Sequence, residues 1–297
     1  MSDQLTMQRT AMRIGPQGDF GVVVEGFDPT STDDVREVKR AVYRERIALV
    51  KGVELEPRQL LALAGAFGTP VPYYEPIYHH PDLPEVFVSS NIDSGPQRIG
   101  VPKTGKFWHS DYQFMPRPFD LTFIQPKVVP TRDRGTYFID LARAHDELDP
   151  ALRRAVAGTT ATHSVRRYFK IRPDDVYRPI HEVLDEIDAR TPPVTLPTIH
   201  AHPHTGREVV YISEGFTTTI TEPDGTERPD LLRELFAATG QLDDTFEHPA
   251  IRLQTFEAGD LLIWDNRSLI HRALHTTTPE PAVSHRVTVF DDAGIPA

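Results

Sequence analysis

The pattern of apolar positions near the start of the chain predicts a strand followed by a helix. Residues 20–27 form a valine-rich run that is typical of a strand. Ser31 or Thr32 is suited to cap a helix that reaches about Arg44. The apolar face of that helix would be formed by Val35, Val38 and Val42. Ile47–Val50 then reads as a buried strand, and Pro57 favours the first turn of a second helix over residues 57–67.

Short apolar runs recur in the rest of the chain, separated by turn residues, and they predict strands of a sandwich or barrel. These runs are residues 121–124, 136–139, 209–212, 261–264 and 287–290. Prolines number 27 and are spread along the sequence, which disfavours long helices. The sequence therefore predicts a mixed α/β fold that is mainly β. Because no repeat or flexible linker divides the chain, residues 1–297 are expected to form a single domain.

A polar insertion interrupts these strands at about residues 163–207. It contains a predicted short helix over residues 180–189 and a break at Thr191-Pro192-Pro193. A long insertion of this kind is typical of a lid over a binding site.

Charge and composition narrow the classes of function. The net charge of -11 disfavours binding to a nucleic-acid backbone. The absence of cysteine excludes a disulfide and a thiolate metal site, so any metal must take nitrogen and oxygen ligands. The N-terminal residues lack the apolar core of a signal peptide, and no stretch is apolar enough to span a bilayer. A cytoplasmic location is expected.

Two separate motifs supply candidate metal ligands. His109-Ser110-Asp111 would place two ligands on one face of an extended segment, although such a spacing also occurs in ordinary surface pairs. The segment 259–272 runs from a strand through a turn to His271. Two histidines and one carboxylate form the facial triad of non-haem iron oxygenases, which leaves positions open for cosubstrate and dioxygen.

These motifs, together with Arg286, resemble the taurine and aryloxyacetate dioxygenase (TauD/TfdA) family over about residues 11–290. The resemblance implies a double-stranded β-helix, or jelly roll, with flanking helices. It implies iron(II) held by His109, Asp111 and His271, with 2-oxoglutarate and dioxygen as cosubstrates. The far carboxylate of 2-oxoglutarate would be bound by Arg286 and Thr136, within the cosubstrate motif Arg134-Gly135-Thr136. Many members carry a second arginine in the last strand, where this chain has Ala282.

A substrate anion must therefore be held elsewhere, and the insertion offers candidates. Residues 164–172 concentrate four cations, among which Lys170 and Arg172 would share one side of an extended segment. A solvated charged loop would have the same composition. Three phenols, Tyr73, Tyr74 and Tyr78, precede the first metal motif, and His275 follows His271 by four residues; an aromatic core and a surface histidine are the ordinary alternative.

Taken together, these residues resemble the isonitrile-forming oxygenase/decarboxylases of actinobacterial lipopeptide pathways. The resemblance implies a (3R)-3-[(carboxymethyl)amino] fatty acid as substrate, whose glycine unit becomes an isonitrile with loss of carbon dioxide and use of two 2-oxoglutarate and two dioxygen. Lys170 and Arg172 would bind the glycine-unit carboxylate. The pocket would be lined by Tyr73, Tyr74, Tyr78, Phe114 and His275.

Other functions remain open from the sequence. The nearest is hydroxylation of another small anion, such as a sulfonate, aryloxyacetate or amino-acid derivative. A non-catalytic metal-binding barrel and a zinc hydrolase are further alternatives. His200, His202 and His204 could bind zinc if they shared a strand face, although a hairpin is the simpler interpretation. The acyl-chain length, attachment to a carrier and the oligomeric state are left undetermined.

Overall fold

The computed structural model describes residues 11–93, 95, 99–132, 134–274 and 280–293. Within them the fold is mixed α/β and mainly sheet. The strands β1 to β17 are, in order, Arg13–Pro16, Val22–Glu25, Ile47–Val50, Thr69–Pro70, His79–His80, Leu83–Ser90, Leu121–Val128, Thr136–Asp140, Thr160–His163, Val194–Pro197, Ile199–Ala201, Glu208–Val210, Thr217–Thr221, Ile251–Gln254, Leu261–Asp265, Leu269–Ala273 and Val283–Phe290. The helices α1 to α6 are Thr32–Glu45, Pro57–Gly65, Leu141–Glu147, Pro150–Val156, Ile180–Arg190 and Pro229–Ala238.

The largest sheet has the strand order β1-β2-β3-β15-β7-β17-β6-β5, and β4 pairs with β17. A second sheet has the order β14-β8-β16, and a third has the order β10-β9-β13. Strands β11 and β12 form a hairpin. The pairing between β2 and β3 is parallel, whereas β17 lies antiparallel to both β6 and β7.

Helix α1 confirms the predicted helix and its cap. The Ser31 hydroxyl accepts a hydrogen bond from the backbone N–H of Asp34, which satisfies one of the free donors of the first turn. The valines of its apolar face are buried against the large sheet, where full burial of each contributes roughly 1.5 kcal/mol or more. The helix ends at Arg46, which has a φ of 70° and therefore cannot continue it.

Two strand predictions were too long. The predicted strand over residues 20–27 is limited to Val22–Glu25, because Gly21 and Gly26 adopt φ values of 78° and 70° at its two ends. The apolar run at residues 209–212 is a strand only as far as Val210. Beyond it, the Tyr211 N–H still donates to Thr198 O at 2.8 Å, but the Ile212 N–H turns back to Val210 O at 3.0 Å, so regular pairing ends there.

The two main sheets pack face to face. Leu49, Leu262 and Trp264 of the large sheet form a buried cluster with Phe138 and Leu269 of the second sheet. The rings of Phe138 and Trp264 meet edge to face at a centroid distance of 5.4 Å. Helices α1 and α2 cover the opposite face of the large sheet.

The predicted insertion contains β10, β11 and α5, and its helix confirms the one predicted over residues 180–189. Two short 3-10 helices, Val165–Arg167 and Pro173–Tyr177, precede α5. Among the described residues, no helix is both long and apolar enough to cross a membrane.

Candidate metal centre and substrate pocket

The backbone brings together the three predicted metal ligands. His271 lies in β16, and His109 forms an isolated antiparallel bridge with it. Their backbone groups exchange hydrogen bonds of 3.0 and 2.8 Å. One ligand atom from each of His109, Asp111 and His271 lies within 4.8 Å of the others, and all three residues are buried. The three side chains can therefore coordinate a single ion.

The imidazole of His109 is oriented by its own segment. Its Nδ1 lies 2.8 Å from Phe107 O, so a proton on Nδ1 would be donated there and Nε2 would remain free for a metal. Gly105, with a φ of 65°, packs against the ring: a Cβ at this position would lie 3.1 Å from Cε1 of His109. Gly105 O accepts a hydrogen bond of 2.8 Å from Ala273 N–H, which ties this segment to β16.

A buried chain of hydrogen bonds holds the carboxylate of Asp111. Its Oδ2 accepts from the Thr122 hydroxyl at 2.7 Å, and that hydroxyl accepts from Asn266 Nδ2 at 2.7 Å. The Trp264 indole then donates to Asn266 Oδ1 at 2.9 Å. The predicted extended path through residues 109–111 is shorter in the structure, since residues 111–114 form a turn in which Tyr112 has a φ of 64°.

Arg286 contacts the candidate metal ligand directly. Its Nη1 lies 2.6 Å from Asp111 Oδ1, and its guanidinium carbon lies 4.0 Å from the centre of the Phe87 ring. Burial alone would raise the pKa of Asp111, but the charge of Arg286, the two neighbouring histidines and the hydrogen bond from Thr122 together outweigh it and hold that pKa at about 2. The Nε atom of Arg286 is buried and has no hydrogen-bond partner in the described part of the chain. One donor of this arginine is thus available for a further anion.

Burial lowers the pKa of both histidines, and the neighbouring His109 lowers that of His271 further. Both rings are therefore neutral at neutral pH, which is the form that binds a metal. Among the described residues, Nδ1 of His271 also lacks a partner. Buried polar atoms without partners are uncommon in folded proteins and are typical of sites that receive a ligand or water.

A cavity of about 330 Å³ opens onto the three ligands. Of the predicted site residues outside the triad, it is lined by Tyr73, Tyr78, Phe114, Thr136, Lys170 and Arg286. Tyr74 lies behind this surface, with its ring 4.8 Å from that of Tyr73. Burial raises the pKa of Tyr78 to about 12 and that of Tyr73 well above its ordinary value, so both phenols stay protonated and can donate hydrogen bonds.

The prediction for Arg172 is wrong in its geometry. Its guanidinium pairs with Asp175 at 3.1 Å and with Glu186 at 2.7 Å, and it does not line the cavity with Lys170. An extended segment would have placed Lys170 and Arg172 on one side, but the 3-10 helix that starts at Pro173 brings Asp175 back onto Arg172. Helix α5 supplies the second carboxylate.

One further predicted residue, Arg134, does not line the metal cavity. Arg134 lines a second cavity of about 280 Å³, 3.8 Å from Glu257, whereas Thr136 lines both cavities. Ala282 also lines the second cavity. His275 lies outside the described residues.

The three-histidine zinc interpretation is wrong within the described residues. His202 Nε2 lies 3.0 Å from Asp265 Oδ2, and His204 Nε2 lies 3.3 Å from Asp291 Oδ2, so both rings are hydrogen-bonded to carboxylates. The bond from His202 N–H to Arg207 O closes the hairpin that the sequence also suggested. The His109, Asp111 and His271 group is the one candidate metal cluster in this part of the chain.

Sequence reasoning missed several residues of the site. Thr122 and Asn266 hold the Asp111 carboxylate, and Lys103 and Lys106 line the metal cavity. The two lysines precede the His109 motif by only a few residues, and this proximity was the one available signal. Further aromatic lining comes from Phe107, Tyr112, Tyr168, Phe169 and Phe216.

Comparison with known proteins agrees with this geometry. The family described as "Taurine catabolism dioxygenase TauD, TfdA family" matches residues 6–288. Pentalenolactone F synthase from Streptomyces avermitilis is 30% identical over 95% of this chain and 94% of its own. The alpha-ketoglutarate-dependent 2,4-dichlorophenoxyacetate dioxygenase of Cupriavidus pinatubonensis is 25% identical over 92% of this chain and 96% of its own.

The fold has solved counterparts as well. A crystal structure of AAD-2 in complex with Mn(II) and N-oxalylglycine aligns with a TM-score of 0.71 at 22% identity, covering 96% of this chain and 98% of that one. The chain belongs to the TauD/TfdA family and is a dioxygenase that uses iron(II), 2-oxoglutarate and dioxygen.

Proposed function

We propose that this dioxygenase oxidatively decarboxylates a (3R)-3-[(carboxymethyl)amino] fatty acid to the (3R)-3-isocyanyl fatty acid. The observation that carries the proposal is the position of Lys170, which belongs to the insertion and lines the same metal cavity as Tyr73 and Tyr78. Ala282 replaces the arginine with which many relatives are expected to bind a substrate anion. Lys170 has no carboxylate partner in the described residues, so its charge is available to a ligand.

In this proposal His109, Asp111 and His271 hold the iron, and Arg286 with Thr136 binds the far carboxylate of 2-oxoglutarate. The three proposed ligands fit iron by their donor atoms, because two neutral imidazoles and a carboxylate suit ferrous iron. Arg286 has a spare donor beside the triad, and a planar guanidinium suits a carboxylate. When bound, iron and 2-oxoglutarate supply a two-electron oxidation by dioxygen, with release of succinate and carbon dioxide.

The chain's own groups bind and orient the substrate. An anion in this largely aromatic cavity needs a paired charge, because an isolated carboxylate is costly to desolvate. Lys170 would pair with the glycine-unit carboxylate, and the protonated phenols of Tyr73 and Tyr78 would donate to the polar groups of the substrate. Holding these groups fixes the glycine methylene near the metal, which is the main requirement for selective oxidation.

The stoichiometry follows from the atoms that are lost. Conversion of the N-carboxymethyl group to an isonitrile removes one carbon dioxide, four protons and four electrons. Two turnovers of 2-oxoglutarate and dioxygen accept them, and the overall products are the isonitrile, two succinates, three carbon dioxide molecules and two waters.

The proposal also covers the domain organisation, the sheet architecture and the lid. We infer a single dioxygenase domain built on a double-stranded β-helix, in which the face-to-face packing of the two main sheets supplies the core. The insertion at about residues 163–207 would act as the lid, since it supplies Lys170, Phe169 and Tyr168 to the cavity.

A second candidate function is hydroxylation of another small carboxylate. The 25% identity to a 2,4-dichlorophenoxyacetate dioxygenase over nearly the whole chain favours it. Such a substrate carries one carboxylate, for which Lys170 alone would suffice. It would give one succinate per product and no isonitrile.

The test is anaerobic loading with iron(II) and 2-oxoglutarate, followed by the amino fatty acid and air, with mass detection of product and succinate. We expect an isonitrile with two succinates. Lys170→Met should raise the KM for the amino fatty acid by roughly tenfold, the value of one charged hydrogen bond, and leave the KM for 2-oxoglutarate unchanged. Arg172→Met, the matched control within the insertion, should have a smaller effect because its charge is already paired. A hydroxylated product with one succinate would replace the proposal with the second candidate.

A further inference from the structure

The chain has six lysines, and they fall into two groups of three. The lysines outside the metal cavity all have protein partners. Lys39 donates to Phe67 O at 2.6 Å, Lys51 pairs with Asp260 at 2.9 Å, and Lys127 lies 3.4 Å from Glu54. These three lysines therefore stabilise contacts within the folded chain.

The other group is Lys103, Lys106 and Lys170, and all three line the metal cavity. Each is exposed, and none has a carboxylate partner within the residues that the structure describes. In a chain with a net charge of -11, where acidic side chains outnumber basic ones, three lysines without acidic partners at one cavity are notable. Their charges remain available to an anion that enters the cavity.

Lys103 and Lys106 belong to a segment that is fixed to the core on both sides. The Val101 N–H donates to Val88 O, and the Val101 carbonyl accepts from the Ser90 N–H. The hydroxyls of Thr104 and Ser89 lie 3.1 Å apart. These contacts hold the backbone of both lysines at the cavity mouth.

The two lysines enter the cavity from a different element than Lys170. Lys170 belongs to the insertion, whereas Lys103 and Lys106 lie between β6 and the His109 motif. Lys103 also lines the second cavity, so its charge lies where the two cavities meet. The site thus offers two separate positive groups, although one small monocarboxylate needs only one.

We propose that Lys103 and Lys106 form a second anion subsite, which binds the carbon-1 carboxylate of the amino fatty acid while Lys170 binds its glycine-unit carboxylate. This inference rests on the proposed function. It identifies the substrate as the free dicarboxylic acid, because a carrier-linked thioester would lack the carbon-1 charge that these lysines bind. Recognition of both ends would also fix the position of the nitrogen and methylene between them.

The test is a calorimetric titration, without oxygen, of the protein loaded with iron(II) and 2-oxoglutarate. The two probes are (3R)-3-[(carboxymethyl)amino]butanoic acid and its carbon-1 carboxamide, which keeps the shape of the probe but removes one charge. Because two exposed ion pairs contribute modestly, the wild-type protein should bind the diacid roughly fivefold to thirtyfold more tightly than the amide. In the variant Lys103→Met with Lys106→Met, this preference should fall to about one.

The matched control is the variant Arg36→Met with Arg40→Met, which removes the same charge from exposed positions of α1. It should keep the wild-type preference for the diacid. Equal binding of the two probes to the wild type, a preference that survives loss of both lysines, or no binding of either probe would each overturn the subsite. A weakened affinity for 2-oxoglutarate in the lysine variant would assign these residues to the cosubstrate and would also overturn it.

Product analysis separates this inference from the proposed function. Preferential binding of the diacid without isonitrile formation in air would overturn the proposed reaction and leave the subsite standing. Isonitrile formation from the diacid and the amide with the same KM would overturn the subsite and leave the proposed reaction standing.

Discussion

Arg267 and Arg286 each contact a buried carboxylate, and they differ in how completely their guanidinium groups are paired. Arg267 is fully buried between Asp265 and Asp291, with contacts of 2.8 and 2.9 Å, and its guanidinium carbon lies 5.2 Å from the centre of the Tyr43 ring. Arg286 makes one contact of 2.6 Å with Asp111, and its Nε has no partner among the described residues.

The neighbours of the two arginines differ in the same way. Beside Arg267, the imidazole of His202 is bonded to Asp265. Beside Arg286, His271 has a buried ring nitrogen without a partner in the described part of the chain. All three guanidinium nitrogens of Arg267 donate to carboxylates, whereas the Nε of Arg286 does not. A fully paired buried charge stabilises one structure, and an unpaired buried donor is suited to a ligand. We therefore infer that the Arg267 cluster is structural and that the Arg286 cluster is the candidate functional site.

The largest effect on stability is expected at the structural cluster. Arg267→Met would leave Asp265 and Asp291 as buried carboxylates without their cation, so the free energy of unfolding should fall by about 3–5 kcal/mol. Chemical denaturation measures this change. Arg36→Met, at an exposed ion pair, is the control and should change it by less than about 1 kcal/mol. A small loss for Arg267→Met would contradict the structural role.

A smaller effect is expected from acid. Burial opposes ionisation of Asp265, but the charge of Arg267 and the bond from His202 hold its pKa at about 2, below the ordinary 3.8. Its stabilisation is complete above pH 3.8 and is lost as pH falls towards 2, a change of about 2 kcal/mol. Unfolding free energies of the wild type and Asp265→Asn should therefore converge across this window. If the unfolding free energies of the two proteins kept the same difference across this pH range, Asp265 would not be the source of the acid-dependent loss of stability.

The smallest effect on stability is expected at the functional cluster. Arg286→Met removes a single ion pair and keeps the contact with the Phe87 ring, so the free energy of unfolding should change less than for Arg267→Met. Its effect should appear instead in the binding of 2-oxoglutarate. A loss of stability as large as that of Arg267→Met would remove the distinction between the two clusters.

Local patterns were sufficient for much of the fold. Helix α1, strand Ile47–Val50 and helix α5 follow from apolar spacing and capping within a few residues. The proximity of the three candidate metal ligands was also predictable, since their two short motifs carry recognisable chemistry. The jelly roll and the single domain stay predictions.

Contacts between distant segments were not predictable from such patterns. The sequence places Lys170 and Arg172 two residues apart, but Glu186 on α5 withdraws Arg172 from the cavity. Thr122 reaches Asp111 only because β7 lies beside the metal motif in the folded sheet. In both cases the partner is fixed by packing, which a single sequence does not encode locally.

The most direct test is calorimetric titration of 2-oxoglutarate, without oxygen, into the iron(II)-loaded wild type and Arg286→Met. We predict that the wild type binds one equivalent and that the variant binds roughly tenfold to hundredfold more weakly, because it loses a charged hydrogen bond to the carboxylate. Equal affinity in the two proteins would contradict the assignment of the incompletely paired cluster as the cosubstrate site.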